Sequence, residues 1–344
     1  MNIDVLAIIA AILAAGVTYA TTPLVMRLAT HLKIIDGTED ERRVHDTPTP
    51  RIGGVAVFFG FAFALFTVLG FALAKSHFEL SEALSAHDLI GLLFGSMLIL
   101  SVGIWDDVMQ MRARNKFIAQ ILVASISMMY GFIITGFSNP FAPHNAHNWI
   151  SLPLWVSIPF TLVWYLGMMN AINFIDGLDG LLAGVTAISC IFLFGAAMLH
   201  GNIVVALVVL ALAGSVLGFL PYNFNPAKIF LGDAGSLFIG YVFATVSIIG
   251  SSKTEIAIGL LVPFVVLALP ILDTAAVIIR RATNGRSVTE ADRGHFHHQL
   301  VFRYGLNQRQ AVLFIYATCL ILGAVALFLA GGLHHLTHLL WIAV

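Results

Sequence analysis

Five polar segments interrupt an otherwise apolar chain, and each carries residue types that handle anions or cations. Trp105-Asp106-Asp107 is followed by Arg112, Arg114 and Lys116. Adjacent carboxylates repel unless a cation or a shared proton relieves them. A hard divalent ion accepts such oxygen ligands and keeps positions open for phosphate; interfacial acids paired with the nearby bases fit the same residues. Asn170, Asn173, Asp176 and Asp179 recur at every third position, which on a helix makes one drifting polar stripe. No Lys or Arg lies between 117 and 227 to neutralise it. Asp233 stands between Gly232 and Ala234-Gly235, after Pro221-Tyr222-Asn223-Phe224-Asn225-Pro226. Backbone amides there can approach an anion closely, or Asp233 can cap the helix that follows. Asp292-Arg293-Gly294-His295-Phe296-His297-His298 can grip phosphate oxygens or exchange protons, and its spacing matches no zinc pattern with cysteine partners. Finally, Arg42-Arg43 through Pro48-Thr-Pro50-Arg51-Ile-Gly53-Gly54 sets basic residues in a turn suited to an anionic headgroup.

The elements that must position these residues are membrane helices. Of 344 residues 59% are hydrophobic and 10% charged, against about 25% charged in an ordinary soluble domain. With a net charge of −1 and a mean hydropathy of +0.94, the composition excludes a soluble globular enzyme, a disordered chain and an electrostatic nucleic-acid binder. Windows of about 20 apolar residues give ten candidate spans, near 3–26, 52–74, 88–105, 117–136, 152–169, 181–199, 202–220, 235–250, 256–279 and 310–331. The eighth, short and glycine-containing, is the weakest as a full crossing. The runs are continuous rather than alternating, which argues against strands. Cys190 and Cys319 lie inside apolar runs and read as small buried hydrophobes. The N-terminus has no basic region or cleavage site, so the first stretch reads as a retained span.

Charge sets the orientation. The loops 27–51, 105–116, 170–180, 221–234 and 280–309 hold 15 of the 17 Lys and Arg; only Lys75 and Lys253 lie on the other side. By the positive-inside rule the first group is cytoplasmic and both termini face outward. Thirteen of the 18 carboxylates follow the same side, which places the chemistry at the cytoplasmic face. Asp273, seven residues before Arg280, falls inside the cytoplasmic half of a span and should face the bundle with a partner. The expectation is one all-α polytopic membrane domain over 1–344.

Taken in order, Arg43–Gly54, Trp105-Asp106-Asp107, Asn170–Gly180, Tyr222–Ser236 and Asp292–His298 resemble the polyprenyl-phosphate N-acetylhexosamine-1-phosphate transferases. Pro48-Thr-Pro50-Arg51-Ile-Gly53-Gly54, Pro270-Ile-Leu-Asp273-Thr274 and Asp292-Arg293-x-His295-x-His297-His298 resemble the branch that uses UDP-GlcNAc. The MurNAc-pentapeptide branch instead has a Thr-Pro-Thr-Met-Gly-Gly loop and a Pro-x-His-His-His cluster. The resemblance implies a bundle of ten or eleven spans in a bacterial inner membrane. It implies transfer of GlcNAc 1-phosphate from UDP-GlcNAc to undecaprenyl phosphate with release of UMP, a first membrane step toward a cell-surface polysaccharide. Mg²⁺, with Mn²⁺ as second choice, is then expected at Asp233 with Asp107 and Asp176. Asp106, Asp107, Asp176, Asp179 and His297 are expected to be catalytic, with His295 as the alternative histidine. Arg51, Lys116, Asn170, Asn173, Arg293, His295 and His298 would contact substrate, with uracil near Asn223 and Phe230. The partners are the two substrates and the bilayer, with no nucleic acid; a homodimer is left open. The competing readings are the same chemistry on UDP-MurNAc-pentapeptide or another UDP-N-acetylhexosamine, an ion-coupled transporter, and a CDP-alcohol phosphatidyltransferase, whose motif Asp176–Ala183 begins to follow until Gly184 stands where that motif has Arg.

Overall fold

The computed structural model describes residues 3–36, 48–74, 86–138, 149–253, 283 and 296–342. Its helices are α1 (Ile3–His31), α2 (Gly54–Ala74), α3 (Ala86–Met109), α4 (Ala113–Met129), α5 (Leu154–Ile175), α6 (Leu181–Leu199), α7 (Ile203–Asn223), α8 (Gly232–Lys253), the short α9 (Phe296–Phe302) and α10 (Gln308–Ile342). Eight of these are long and apolar enough to cross a bilayer, all but α4 and α9. Large side chains such as Phe59, Phe66, Leu122, Trp155, Ile321 and Phe328 face outward from the bundle. Such a surface is stable only where the surroundings are as apolar as the core.

Eight of the ten expected spans fall on helices long and apolar enough to cross; span 117–136 falls on α4, which is not, and span 256–279, with Asp273, lies outside the described residues. Span 181–199 coincides with α6. Two expectations need correction. The fourth helix ends at Met129, not 136, because Tyr130-Gly131 breaks it (Gly131 has φ 87°) and the chain enters a ribbon. The last helix runs on to Ile342 without a break at 331. Two antiparallel ribbons also occur where only loops were expected: β1 (Ile35–Asp36) with β2 (Thr49–Pro50), and β3 (Gly136–Ser138) with β4 (Trp149–Ser151).

The weakest expected crossing is the centre of the bundle. Helix α8 is 94% buried over Gly232–Gly250 and packs against α2, α3 and α5. Its small residues explain why: a Cβ on Gly54 of α2 would overlap the Gly235 backbone, and one on Gly103 of α3 would overlap Ala234. Close backbone approach of this kind is how helices gain van der Waals contact in lipid. On the far side α7 packs on α1 and α6, and α6 on α10.

The start of α2 is tied to the start of α8. Gly53 and Gly54 N–H donate to the carbonyls of Phe230 and Leu231 (2.9 and 2.8 Å), and Phe230 N–H donates to Pro50 O (2.8 Å). The β1–β2 ribbon thus brings Arg51 to the mouth of the bundle. The ends of α1, α3, α5 and α7 and the starts of α2, α4, α6 and α8 meet there, so the described parts of the loops 27–51, 105–116, 170–180 and 221–234 share one face. A cysteine at Asn115 in a background lacking Cys190 and Cys319 is expected to react only with membrane-permeant reagents, and one at Ser76 with impermeant reagents, in sealed cells. The reverse pattern would overturn the orientation.

Candidate active site

The two carboxylates that end α3 point to different tasks. Asp107, with a fully buried side chain, accepts the N–H of Asp233 on Oδ1 and of Ala234 on Oδ2, both at 2.9 Å. It caps α8 from another helix, supplying negative charge where the helix dipole favours it. The α8 cap is therefore Asp107 and not Asp233. Gly232 makes this possible: its φ is +74° and a Cβ there would strike the Asp107 carboxylate. Arg51 Nε lies 3.7 Å from Asp107 and its Nη1 3.5 Å from Asp36. Asp106 Oδ1 accepts the Met111 N–H at 2.8 Å, which turns the chain into α4, and Oδ2 faces Lys116 at 2.8 Å.

Lys116 bridges Asp106 and Asp233, 3.1 Å from the latter. The other oxygen of Asp233 accepts from Asn173 Nδ2 at 2.5 Å, and that amide also reaches Ser236 Oγ at 2.8 Å. Lys116, Asn173, Asp106 and Asp233, from four different helices, are thus one hydrogen-bonded cluster.

The polar stripe from 170 to 179 is not one helical face. Helix α5 ends at Ile175, Asp176 is its C-cap, and the chain turns through Gly177 to Gly180 (φ 77°). Asn170 and Asn173 remain on the helix, whereas Asp179 is turned into a brace. Its Oδ2 accepts from Asn225 Nδ2 (3.0 Å) and Ala227 N–H (2.9 Å). Asn225 also reaches Gln308 Oε1 (2.5 Å), Arg309 Nε donates to the Asn225 carbonyl (3.0 Å), and Tyr316 OH donates to Gly180 O (2.5 Å). The start of α10 therefore clamps both loops. Asn223, expected near a base, is buried, with its amide nitrogen donating to Ile229 O at 3.0 Å. Phe230 is partly exposed beside it.

Among the described residues, Lys116 and Arg51 are the cations that face Asp106, Asp107, Asp176 and Asp233. Burial, then the charges of Asp233 and Asp107, push the Asp176 carboxyl up to about 8. Burial works against the Arg51 guanidinium, yet Asp107, Asp36, Asp233 and Asp176 together hold it above its ordinary value. Among the described residues the acids outnumber the cations at this site. Among the described residues no three acidic or imidazole groups close on one point, and the Lys116 ammonium stands between Asp106 and Asp233. The donor set nonetheless fits a hard divalent cation: it is all oxygen, and the carboxylates of Asp106 and Asp233 face a common position across Lys116.

Arg293 and His295 lie outside the described residues, as does the Arg42–Asp46 stretch. His297 and His298 fall on α9, and only their backbone is described. Sequence reasoning missed Gln120, Asn225, Gln308 and Tyr316. For Gln120 the signal was present, a long polar side chain inside an apolar span four residues after Lys116.

Residues 89–251, which hold the cluster apart from Arg51, match the glycosyl transferase family 4. A probable undecaprenyl-phosphate N-acetylglucosaminyl 1-phosphate transferase of Bacillus subtilis is 35% identical over 311 residues, covering 90% of this chain and 81% of that protein. The chain belongs to the polyprenyl-phosphate N-acetylhexosamine-1-phosphate transferase family. A decaprenyl-phosphate N-acetylglucosaminephosphotransferase of Mycobacterium tuberculosis is 37% identical, covering 88% of this chain and 77% of its own length. A phospho-N-acetylmuramoyl-pentapeptide-transferase of Staphylococcus saprophyticus is 28% identical, covering 93% and 98%. The chain is thus a phosphoglycosyltransferase, and the transporter and CDP-alcohol readings fall away.

Proposed function

We propose that this transferase moves GlcNAc 1-phosphate from UDP-GlcNAc to undecaprenyl phosphate and releases UMP, at the cytoplasmic face of a bacterial inner membrane. The observation that carries this reading is the Lys116 bridge between Asp106 and Asp233 at the mouth of a lipid-facing bundle. Phosphoryl transfer needs positioning and charge neutralisation more than covalent help. The lipid phosphate, a monoester with a second pKa of about 6, is already largely dianionic and needs no strong base. One of its oxygens attacks the β-phosphorus, the bond from that phosphorus to the bridging oxygen breaks, and the electron pair leaves on UMP.

Within this reading Lys116 and Arg51 neutralise pyrophosphate charge, and Arg293, His295, His297 and His298 are assigned to the same task on the strength of the sequence resemblance. Asp107 pins the start of α8 and so sets Asp233. Asp179 holds the Asn225–Ala227 turn, placing Phe230 where its ring can stack a base. A Mg²⁺ ion, or Mn²⁺ in its place, would be held by Asp233 with Asp106 and Asp176, and would supply charge neutralisation to the donor pyrophosphate. GlcNAc is favoured over the MurNAc-pentapeptide by the greater identity to the GlcNAc-type relatives and by the Pro48–Gly54 loop.

The reading has a binding signature. Asp176 holds its proton at about pH 7, so a cation entering the cluster displaces it. Adding Mg²⁺ to lightly buffered protein should release up to about one proton at pH ~7 and far less at pH ~9.5, where Asp176 is already ionised. Asp176→Asn should diminish the release at neutral pH; an unchanged release would remove Asp176 from the site. Sugar choice is tested by UMP release from a panel of UDP-sugars with undecaprenyl phosphate. UDP-GlcNAc should be the preferred donor, and exclusive use of UDP-MurNAc-pentapeptide would reverse the branch assignment.

A further inference from the structure

Gln120 lies one helical turn beyond Lys116 on α4, so the two side chains leave the same face. It is wholly buried, and its Oε1 accepts from Asn170 Nδ2 at 2.8 Å. Asn170 stands one turn before Asn173 on α5, and Asn173 meets Lys116 at 3.5 Å while holding Asp233. Helices α4 and α5 are therefore joined by two polar rungs, Lys116–Asn173 at the site and Gln120–Asn170 behind it. The inner rung has a fixed polarity. Asn170 Nδ2 also donates to Leu166 O at 2.8 Å, so Gln120 must present its oxygen. Its Nε2 is left buried with no partner among the described residues. A buried donor in that state costs stability, and an apolar side chain of equal length would fill the same space without the cost. A group kept at the expense of stability points to a task in function.

We propose that Gln120 is a positioning residue for sugar-phosphate transfer. With Asn170 it holds α4 against α5 at the spacing and rotation that set Lys116 and Asn173 on Asp233. The inference rests on reading that cluster as the transfer site. Gln120 touches no substrate in this scheme; it acts through Lys116 and Asn173, where a small displacement of the charged group lowers the rate steeply.

The test is a set of variants of the full chain in lipid nanodiscs, assayed with UDP-GlcNAc and undecaprenyl phosphate. Gln120→Met should keep or raise the melting temperature while kcat falls about 10–100-fold and KM for UDP-GlcNAc stays within about twofold. An unchanged kcat, or a loss of kcat matched by a loss of thermal stability, would overturn the proposal. Gln120→Asn and Asn170→Gln shorten and lengthen the rung by one methylene, and each should slow turnover. The double exchange restores the combined reach and should recover most of the rate; multiplied losses would contradict the rung. If the wild-type protein transfers no sugar phosphate, the functional reading itself fails. The melting temperatures of the exchange series then decide the rung alone, recovery in the double variant supporting it and additive losses refuting it.

Discussion

Asp233→Asn is expected to abolish transfer while leaving the protein folded. The substitution keeps the shape and removes the charge that faces Lys116 at 3.1 Å and accepts from Asn173. It takes away the carboxylate best placed to share a divalent ion with Asp106, so the rate should fall by about 10³-fold or more. Folding survives for a specific reason. The first amides of α8 are capped by Asp107, so the roughly 0.5–2 kcal/mol of a lost N-cap is not incurred. Lys116 also keeps Asp106 as a partner, which avoids the penalty of about 3–5 kcal/mol for a stranded buried charge. Near-normal UMP release at saturating Mg²⁺ would remove Asp233 from the site; a collapsed melting transition would make it structural.

Lys116→Gln should move two readouts in opposite directions. The ammonium is the direct counter-charge to Asp106 and Asp233, and Gln retains a donor without the charge. Losing one preorganised cation aimed at the pyrophosphate should cost about 10²–10³-fold in turnover. The same change opens the position between two carboxylates that now repel one another, so Mg²⁺ should bind more tightly, by calorimetric titration, than to the wild type. Slower turnover with weaker Mg²⁺ binding would mean that Lys116 supports the cation site and does not compete for it. Full turnover would assign phosphate neutralisation to Arg51 and the histidine segment alone.

The helices were legible because lipid imposes a simple rule: long continuous apolar runs, with polar residues confined to their ends. Span 181–199 could be read to the residue, since Gly180 and His200-Gly201 interrupt the run at both ends. The central position of α8 was not legible. Gly235 and Gly240 look like weak helix formers in one dimension, and become the means of close packing only when Gly54 of α2 and the Met168–Met169 backbone of α5 face that helix. The site was legible as a set of residue types and illegible as a set of partners. Asp106, Asp107 and Asp233 could all be singled out, but only the packing of α3 on α8 divides them into a Lys116 partner and a cap. The three-residue spacing of 170–179 misled because periodicity cannot show where Gly177 stops the helix. Gln120 escaped because a single amide in an apolar span has no meaning until Asn170 is found across from it.

The most direct measurement follows the β-phosphorus. UDP-GlcNAc carrying a radiolabel at that atom is incubated with the purified chain, undecaprenyl phosphate and Mg²⁺, and the products are partitioned between butanol and water. If the chain transfers sugar phosphate, the label passes into the lipid phase in step with UMP appearing in the aqueous phase. Label that stays in the aqueous phase as UDP while GlcNAc reaches the lipid would mean the sugar moves without its phosphate, and would contradict the reaction assigned to the Asp106–Lys116–Asp233 cluster.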